Sequence, residues 1–381
     1  MSKKGQFFSL YKFELFKILK NRVAMVTFII FFAMSFIQGE FEISGNIEPS
    51  DLPKYAEFNG RTLDETMFSE ILSVTDDIGD FTVDNNRKYF DARNWLREVM
   101  GYKTRFTDID PAKVYDERTK AIEECFDDEI LTEDEKNFWR QKETEVEKPF
   151  TFYSDWIPAG ILEGSTNYSI YLIILVSTSL AMIFSMETQR KTDPMICATI
   201  NGTKRLYFAK VLAGVTYILG CLFIIIAGFM IYTGTRWGFP GMQAAVQIYW
   251  PLACEDMTLW ELEGIIIVLL TVFALLLSAF SLLISNITRN GVATMAIVIG
   301  GCLGIFALST SVPLEKRFLN QAIQFLSPSV ISSRIVYEFR LVKLGRYFTV
   351  SQFVPMLYIA LSVILVIAGY VVYARHEIKS N

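Results

Sequence analysis

The stretch GIIIVLLTVFALLLSAFSLLISNIT at residues 264–288 and the stretch NGVATMAIVIGGCLGIFALSTSVPL at residues 290–314 are separated by one charged residue, Arg289. About 20 apolar residues in a helix cover the hydrocarbon core of a bilayer, so two such runs back to back predict two spans joined by a tight turn. Uncharged runs of the same kind lie at 164–186, 211–235 and 347–374, and a shorter apolar run, Val23 to Ile37, supplies a sixth span. The expected fold class is therefore an all-α polytopic membrane protein with six transmembrane helices. Bulk composition conceals this: 52% of the 381 residues are hydrophobic, 20% are charged and the mean hydropathy is +0.32. The distribution excludes a soluble enzyme, a disordered chain and a collagen-like fibre. Five cysteines are too few for a disulfide-dense secreted scaffold.

Charge divides the chain further. Residues 39–165 hold 31 Asp and Glu against 15 Lys and Arg, a net of −16, and the rest holds 10 against 21, a net of +11. An acidic, water-exposed domain thus interrupts a basic membrane protein, dividing it into residues 1–38, 39–165 and 166–381. Short cytoplasmic segments retain Lys and Arg, whereas long translocated domains escape that bias. Six bases (Lys3, Lys4, Lys12, Lys17, Lys20, Arg22) precede the first span. A cytoplasmic N-terminus also puts Arg190, Lys191, Lys204, Arg205, Lys210, Arg289, Arg375 and Lys379 inside, with Arg236, Lys316, Arg317, Arg334, Arg340, Lys343 and Arg346 outside. Six of those seven outer bases lie in 315–346, which needs a separate reason. Six spans return the C-terminus to the cytoplasm and leave 39–165 extracytoplasmic in a multi-pass protein of the cell membrane.

Ahead of the first span, Phe7, Phe8, Leu10, Tyr11, Leu15, Ile18 and Leu19 alternate with Lys12, Glu14, Lys17 and Lys20 at roughly helical spacing. That pattern predicts an amphipathic helix on the inner leaflet, its lysines toward anionic headgroups, a direct partnership with membrane lipid. The apolar run after it is too long for a secretory leader and lacks a small-residue cleavage site, so it reads as a retained span. The acidic domain reads as mainly helical. Asp110 before Pro111 is a helix start, Thr132 with Glu135 is a capping box, and a helix is expected over 86–100. Its charge disfavours nucleic acid.

No GxxxxGK[ST] phosphate loop occurs, so nucleotide chemistry is not expected from this chain. One histidine, His376, excludes a histidine-paired zinc site and a Ser-His-Asp triad; no catalytic residue and no metal site are expected. Asp76, Asp77, Asp80 and Asp84 lack the alternating oxygen spacing of a calcium loop and read as an acidic turn. Cys125 and Cys254 share the outer side in this topology and read as free thiols. The five long runs carry no ionisable residue, which argues against an ion relay through the membrane. Gly300 and Gly304 have the four-residue spacing that lets helices approach, for dimerisation or for packing within the chain.

The segment FSMETQRKTDPMICATINGTKRLYFAKVLAG at 184–214 resembles the segment after the second span in permease subunits of type-2 ABC transporters. There a Glu leaves the membrane, a short amphipathic helix follows, and a small-residue turn leads through Thr/Ser-Arg/Lys to a Lys opening the third span. Glu187, the stretch 192–199, the turn Asn201-Gly202-Thr203-Lys204-Arg205 and Lys210 match; Ile200-Asn201 replaces the usual Leu-Pro. The family's six spans, inner amphipathic helix, large domain between the first two spans and helical outer segment before the last span cover the whole chain. The last of these houses the basic loop, as an outer helical loop over 311–350 with FLSPSVISSR at 325–334 as its core.

The resemblance implies a coupling segment at 187–205 that docks on a separate ABC ATPase subunit through Glu187, Arg190, Lys191, Asn201, Gly202, Lys204 and Arg205. It also implies a second permease subunit as homo- or heterodimer, and ATP with Mg on the partner ATPase, no cofactor being bound by this chain. An uncharged lining suits amphipathic or hydrophobic cargo such as a peptide, an antibiotic or a lipid-like molecule. Two other readings remain at this stage. One is a sensor or immunity protein that binds a peptide through its outer domain. The other is a membrane glycosyltransferase using Asp108 and Asp110.

Overall fold

A computed structural model describes residues 3–44, 53, 56–81, 87–102, 104–189 and 204–380. Six helices among the described residues are long and apolar enough to cross a membrane: α2 (Arg22–Ser44), α7 (Trp156–Leu180) continued after Ala181 by α8 (Met182–Gln189), α9 (Lys204–Arg236), α10 (Leu259–Thr288), α11 (Gly291–Ser309) and α13 (Val350–Ser380). Helix α1 (Lys3–Leu19) precedes them. A helical module lies between α2 and α7, comprising α3 (Glu65–Ser73), α4 (Phe90–Met100), α5 (Val114–Asp128) and α6 (Glu133–Glu145). Helix α12 (Arg317–Leu326) sits between α11 and α13.

Helix α10 is the axis of the bundle and packs against α7, α9, α11 and α13. Ala274, Ser278, Ala279, Ser281 and Ser285 supply the small buried surface that lets these neighbours approach. The most apolar stretches of α7 and α10 are 67% and 61% buried, against 22% in α11 and 17% in α13, so α11 and α13 turn most of their surface outward. Arg289 (φ 49) and Asn290 alone connect α10 to α11, and the Asn290 carboxamide accepts from the Val292 and Ala293 amides. This is the tight turn the two adjacent runs demand.

The module folds by local rules. Asp64 caps α3 through the Met67 amide, and Asp110 caps a short turn at Pro111 through the Ala112 amide. At α6, Glu135 accepts from both the Thr132 amide (2.9 Å) and its hydroxyl (2.8 Å). Asp76 accepts from the Ile78 and Asp80 amides, closing the acidic turn on itself. Helix α4 begins at Phe90, after a single 3-10 turn at 87–89, later than the expected 86. Phe68, Trp95, Tyr115 and Phe150 form the aromatic centre, where the Tyr115 hydroxyl donates to the Leu63 carbonyl and accepts from the Phe150 amide.

The 311–350 segment is less helical than expected. After α12 and two 3-10 turns it forms a hairpin, β1 (Val342–Leu344) with β2 (Arg346–Phe348), antiparallel with Val342 opposite Phe348. The hairpin turns at Gly345, whose φ of +76 strains any residue with a Cβ.

Candidate functional site

The two ends of the bundle carry the polar constellations. At the module end, α5 places Val114, Ile122 and Phe126 on the module core, and Arg118 occupies the same face at helical spacing. Arg118 is fully buried. Its guanidinium donates to the carbonyls of Pro251 (2.6 Å) and Ala253 (2.8 Å) in the loop between α9 and α10, and it pairs with Glu143 of α6. Trp95 and Trp139 reach in the same way, their indole N–H groups donating to Gln247 O (2.7 Å) and Phe339 O (2.6 Å). The module is thus fastened to both later loops by buried donors on backbone carbonyls.

The bases of 315–346 face the acidic module. Arg317 pairs with Glu135, Arg340 with Glu129 at 3.1 Å and Lys343 with Asp134 at 3.8 Å. Burial would raise Glu135, but Arg317, the capping bonds and the Leu341 amide together hold it below the usual carboxylate range. Three bases of the loop thus meet acids of the −16 domain, which gives the basic loop part of its reason.

Beneath this interface lies a row of carboxyls. Asp91 of α4 accepts from the Ser154 hydroxyl at 2.6 Å beside Asp155, and burial pushes both upward, Asp91 to about 6. Glu98, raised by burial, accepts from the Tyr337 hydroxyl at 2.8 Å. Glu163 of α7 accepts from Ser333 (2.7 Å) and Tyr249 (3.2 Å). Glu263 of α10, 1% exposed, accepts from Ser165 at 2.6 Å. The uncharged runs hold as read, but the helices continue past them, and it is these extensions that carry Glu42, Glu163, Glu263 and Lys210. Cys125 and Cys254 are free, and burial raises both thiols, Cys125 to about 11, which keeps them unreactive at neutral pH.

At the opposite end, α1 runs along the N-terminal half of α9. Glu14, expected among the water-facing charges of α1, is instead buried with Ile18 on the face that meets the bundle. Lys210 is fully buried; its ammonium lies 3.7 Å from the Glu14 carboxylate, donates to Ile183 O (3.2 Å) and sits over the Phe184 ring. Lys17 adds a second contact to Glu14 at 3.2 Å. Helices α1, α8 and α9 are therefore tied by one polar cluster, within two helical turns of where α8 ends and α9 begins. Exposed Phe8, Phe13 and Phe16 cover the other side of α1, as an interfacial helix requires.

Of the residues expected to contact an ATPase, Lys204 is exposed and Arg205 partly buried in the first turn of α9, and Glu187 lies on the backbone of α8. Arg190, Lys191, Asn201 and Gly202 lie outside the described residues. Among the described residues outside their own helix backbone, nothing lies within 4 Å of a Cβ built on Gly300 or Gly304, so both glycines are open there rather than packed. Asp108 and Asp110 share an open groove, but Asp110 is engaged by capping and by Lys113 at 3.0 Å.

Sequence reasoning missed Arg118 and the Glu14–Lys210 contact. The signal for Arg118 was a charge on an apolar stripe, at 114, 118, 122 and 126. No family model, no curated protein and no solved structure matches the chain.

Proposed function

We propose that the chain is the non-catalytic permease subunit of an ATP-driven exporter. It pairs with a second permease subunit and couples to a separate ABC ATPase that holds ATP and Mg. The observation that carries this reading is the cluster of α1, α8 and α9 around Glu14 and Lys210, within two helical turns of where α8 ends and α9 begins. A rod pushed at that point would move α7, α9 and α1 together. On this reading the α1 end is cytoplasmic, the module end extracytoplasmic, and cargo is amphipathic or hydrophobic. The exposed apolar face of α11, with Leu303 and Phe306 beside Gly300 and Gly304, would meet the second subunit.

The test is co-purification with the ABC ATPase encoded beside the gene, followed by ATP hydrolysis. The pair should hydrolyse ATP and the chain alone should not. Lys204→Glu, at an exposed position, should weaken the association while leaving the melting temperature of the purified chain unchanged. A chain that hydrolyses ATP by itself overturns the reading.

A further inference from the structure

Two open grooves mark the module. One, of about 400 Å³, contains Asp108, Asp110, Glu117 and Glu124, but two lysines in its lining already answer two of the four: Lys113 meets Asp110 at 3.0 Å and Lys120 meets Glu117 at 2.6 Å. The other, of about 470 Å³, lies between residues 146–153 of the module and residues 243–261, where the loop from α9 enters α10. Its lining holds Glu147, Asp256 and Glu261 and no base. None of these three has an ion pair among the described residues. The nearest lysines are engaged elsewhere, Lys148 on Glu143 at 2.5 Å and Lys142 on Glu145 at 2.7 Å. Glu261 gives one carboxylate oxygen to the Thr258 cap and keeps the other.

The groove also exposes backbone. Thr151 lies opposite Thr62 in an antiparallel bridge whose hydrogen bonds belong to the flanking residues, Leu63 N to Phe150 O and Phe152 N to Arg61 O. In such a pair the N–H and C=O of the central residues point away from the partner strand. The Thr151 N–H and C=O therefore face the free edge, with no partner among the described residues. Ala245 lies opposite Thr258 in a second bridge of the same pattern and lines the groove too, but its carbonyl already accepts from the Ile248 amide at 3.0 Å, so Thr151 alone offers both groups. An edge that offers paired donor and acceptor groups takes an extended chain as an added strand. Three unanswered carboxylates demand positive charge.

We infer that this groove binds an extended, basic peptide, whose backbone pairs with Thr151 and whose cationic side chains meet Glu147, Asp256 and Glu261. Its apolar side chains would lie on Tyr153 and Met257. Tyr153 is three residues before α7, and Glu261 is in the first turn of α10, so the site opens at the rim of the bundle. A peptide lying on the membrane surface would meet it there. As recognition of cargo this inference rests on the permease reading; as binding it stands without an ATPase.

The full chain in phosphatidylcholine nanodiscs is titrated into a fluorescein-labelled decapeptide of alternating lysine and leucine, read by anisotropy against empty discs. Binding is expected, and a glutamate–leucine decapeptide should not bind. Each exposed ion pair is worth about a two- to fivefold change, so the triple variant Glu147→Gln, Asp256→Asn, Glu261→Gln should weaken binding about tenfold or more with its melting curve unchanged. On the unaltered protein, a lysine–leucine peptide N-methylated at alternate amides should also bind about tenfold more weakly, because it cannot pair with an edge strand. Equal binding of the lysine and glutamate peptides, or unaltered affinity in the triple variant, overturns the proposal. So does competition by spermine at equal charge together with no effect of N-methylation, which would make this a site for small cations. Loss of ATPase association leaves these outcomes untouched, so the two readings fail separately.

Discussion

The two ends of the bundle answer the same problem, how to hold a polar element against a helical core, in opposite ways. At the module end, attachment is distributed: Arg118, Trp95 and Trp139 reach backbone carbonyls in two different loops, and the ion pairs of Arg317, Arg340 and Lys343 with Glu135, Glu129 and Asp134 add to them. At the α1 end, attachment concentrates on Glu14 and Lys210. The first arrangement fixes a shape, because no single loss frees the module. The second gathers the polar attachment of one helix at one contact, with apolar packing such as that of Ile18 beside it.

The largest effect tests whether the module end has a keystone after all. Arg118→Met leaves two buried carbonyls without their donor and Glu143 with Lys148 alone, and breaking a buried pair costs about 3–5 kcal/mol. The melting temperature of the purified chain should fall, and hydrogen exchange should rise in the module and in 246–254 together. Exchange confined to α5 would mean that the clamp does not join the two.

Lys210→Met should cost less, about 1–2 kcal/mol, because Lys17 still meets Glu14 at 3.2 Å. Its exchange signature should be confined to α1 and the first turns of α9. Equal protection of α1 in the variant and the unaltered chain would remove the contrast between the two ends.

Proton linkage sharpens the comparison further. Asp91 is raised from the ordinary 3.8 to about 6 by burial, with Asp155 raised beside it. Their protonated forms thus contribute stability fully below about pH 4, and it is lost as the pH rises through 6. Carboxylates held low, such as Glu135 and Glu123, act the other way, losing their contribution only as the pH falls below the ordinary 4.5. Between pH 4.5 and 7 the module should therefore loosen as pH rises. Asp91→Asn should flatten that slope in melting curves, while the protection of α1, its exchange relative to that of an unfolded chain at the same pH, stays constant across the range.

The smallest effect concerns the ion pairs of the basic loop. Lys343 and Asp134 are both well exposed at 3.8 Å, so Lys343→Ala should leave the melting temperature within about 1 °C. A larger fall would show that the basic loop acts through charge rather than through the buried donors beneath it.

What sequence made legible follows from distance along the chain. The two long runs around Arg289, the capping box at Thr132 and Glu135, the cap at Asp110 and the turn at Asp76 all depend on neighbours within a few residues, and all of them stand in the structure. The basic loop was visible as an anomaly, but its explanation needed partners almost 200 residues away: Arg317 on Glu135 and Arg340 on Glu129. Glu14 and Lys210 lie equally far apart, and locally Glu14 reads as a charge on an amphipathic segment and Lys210 as the base that opens the third span. The hairpin at 342–348 escaped because three-residue strands are too short to show alternation.

Arg289 and Asn290 set a mechanical condition on the bundle. Two residues of linker, one of them held at φ 49 and the other spent on a helix cap, leave α10 and α11 no slack. One turn of helix rises about 5.4 Å, so neither can slip by a turn against the other without unravelling the joint. The pair can splay like a pair of compasses about that elbow but cannot slide like a piston. Any stroke delivered to the root of α10 is handed to the outward-facing surface of α11 as rotation.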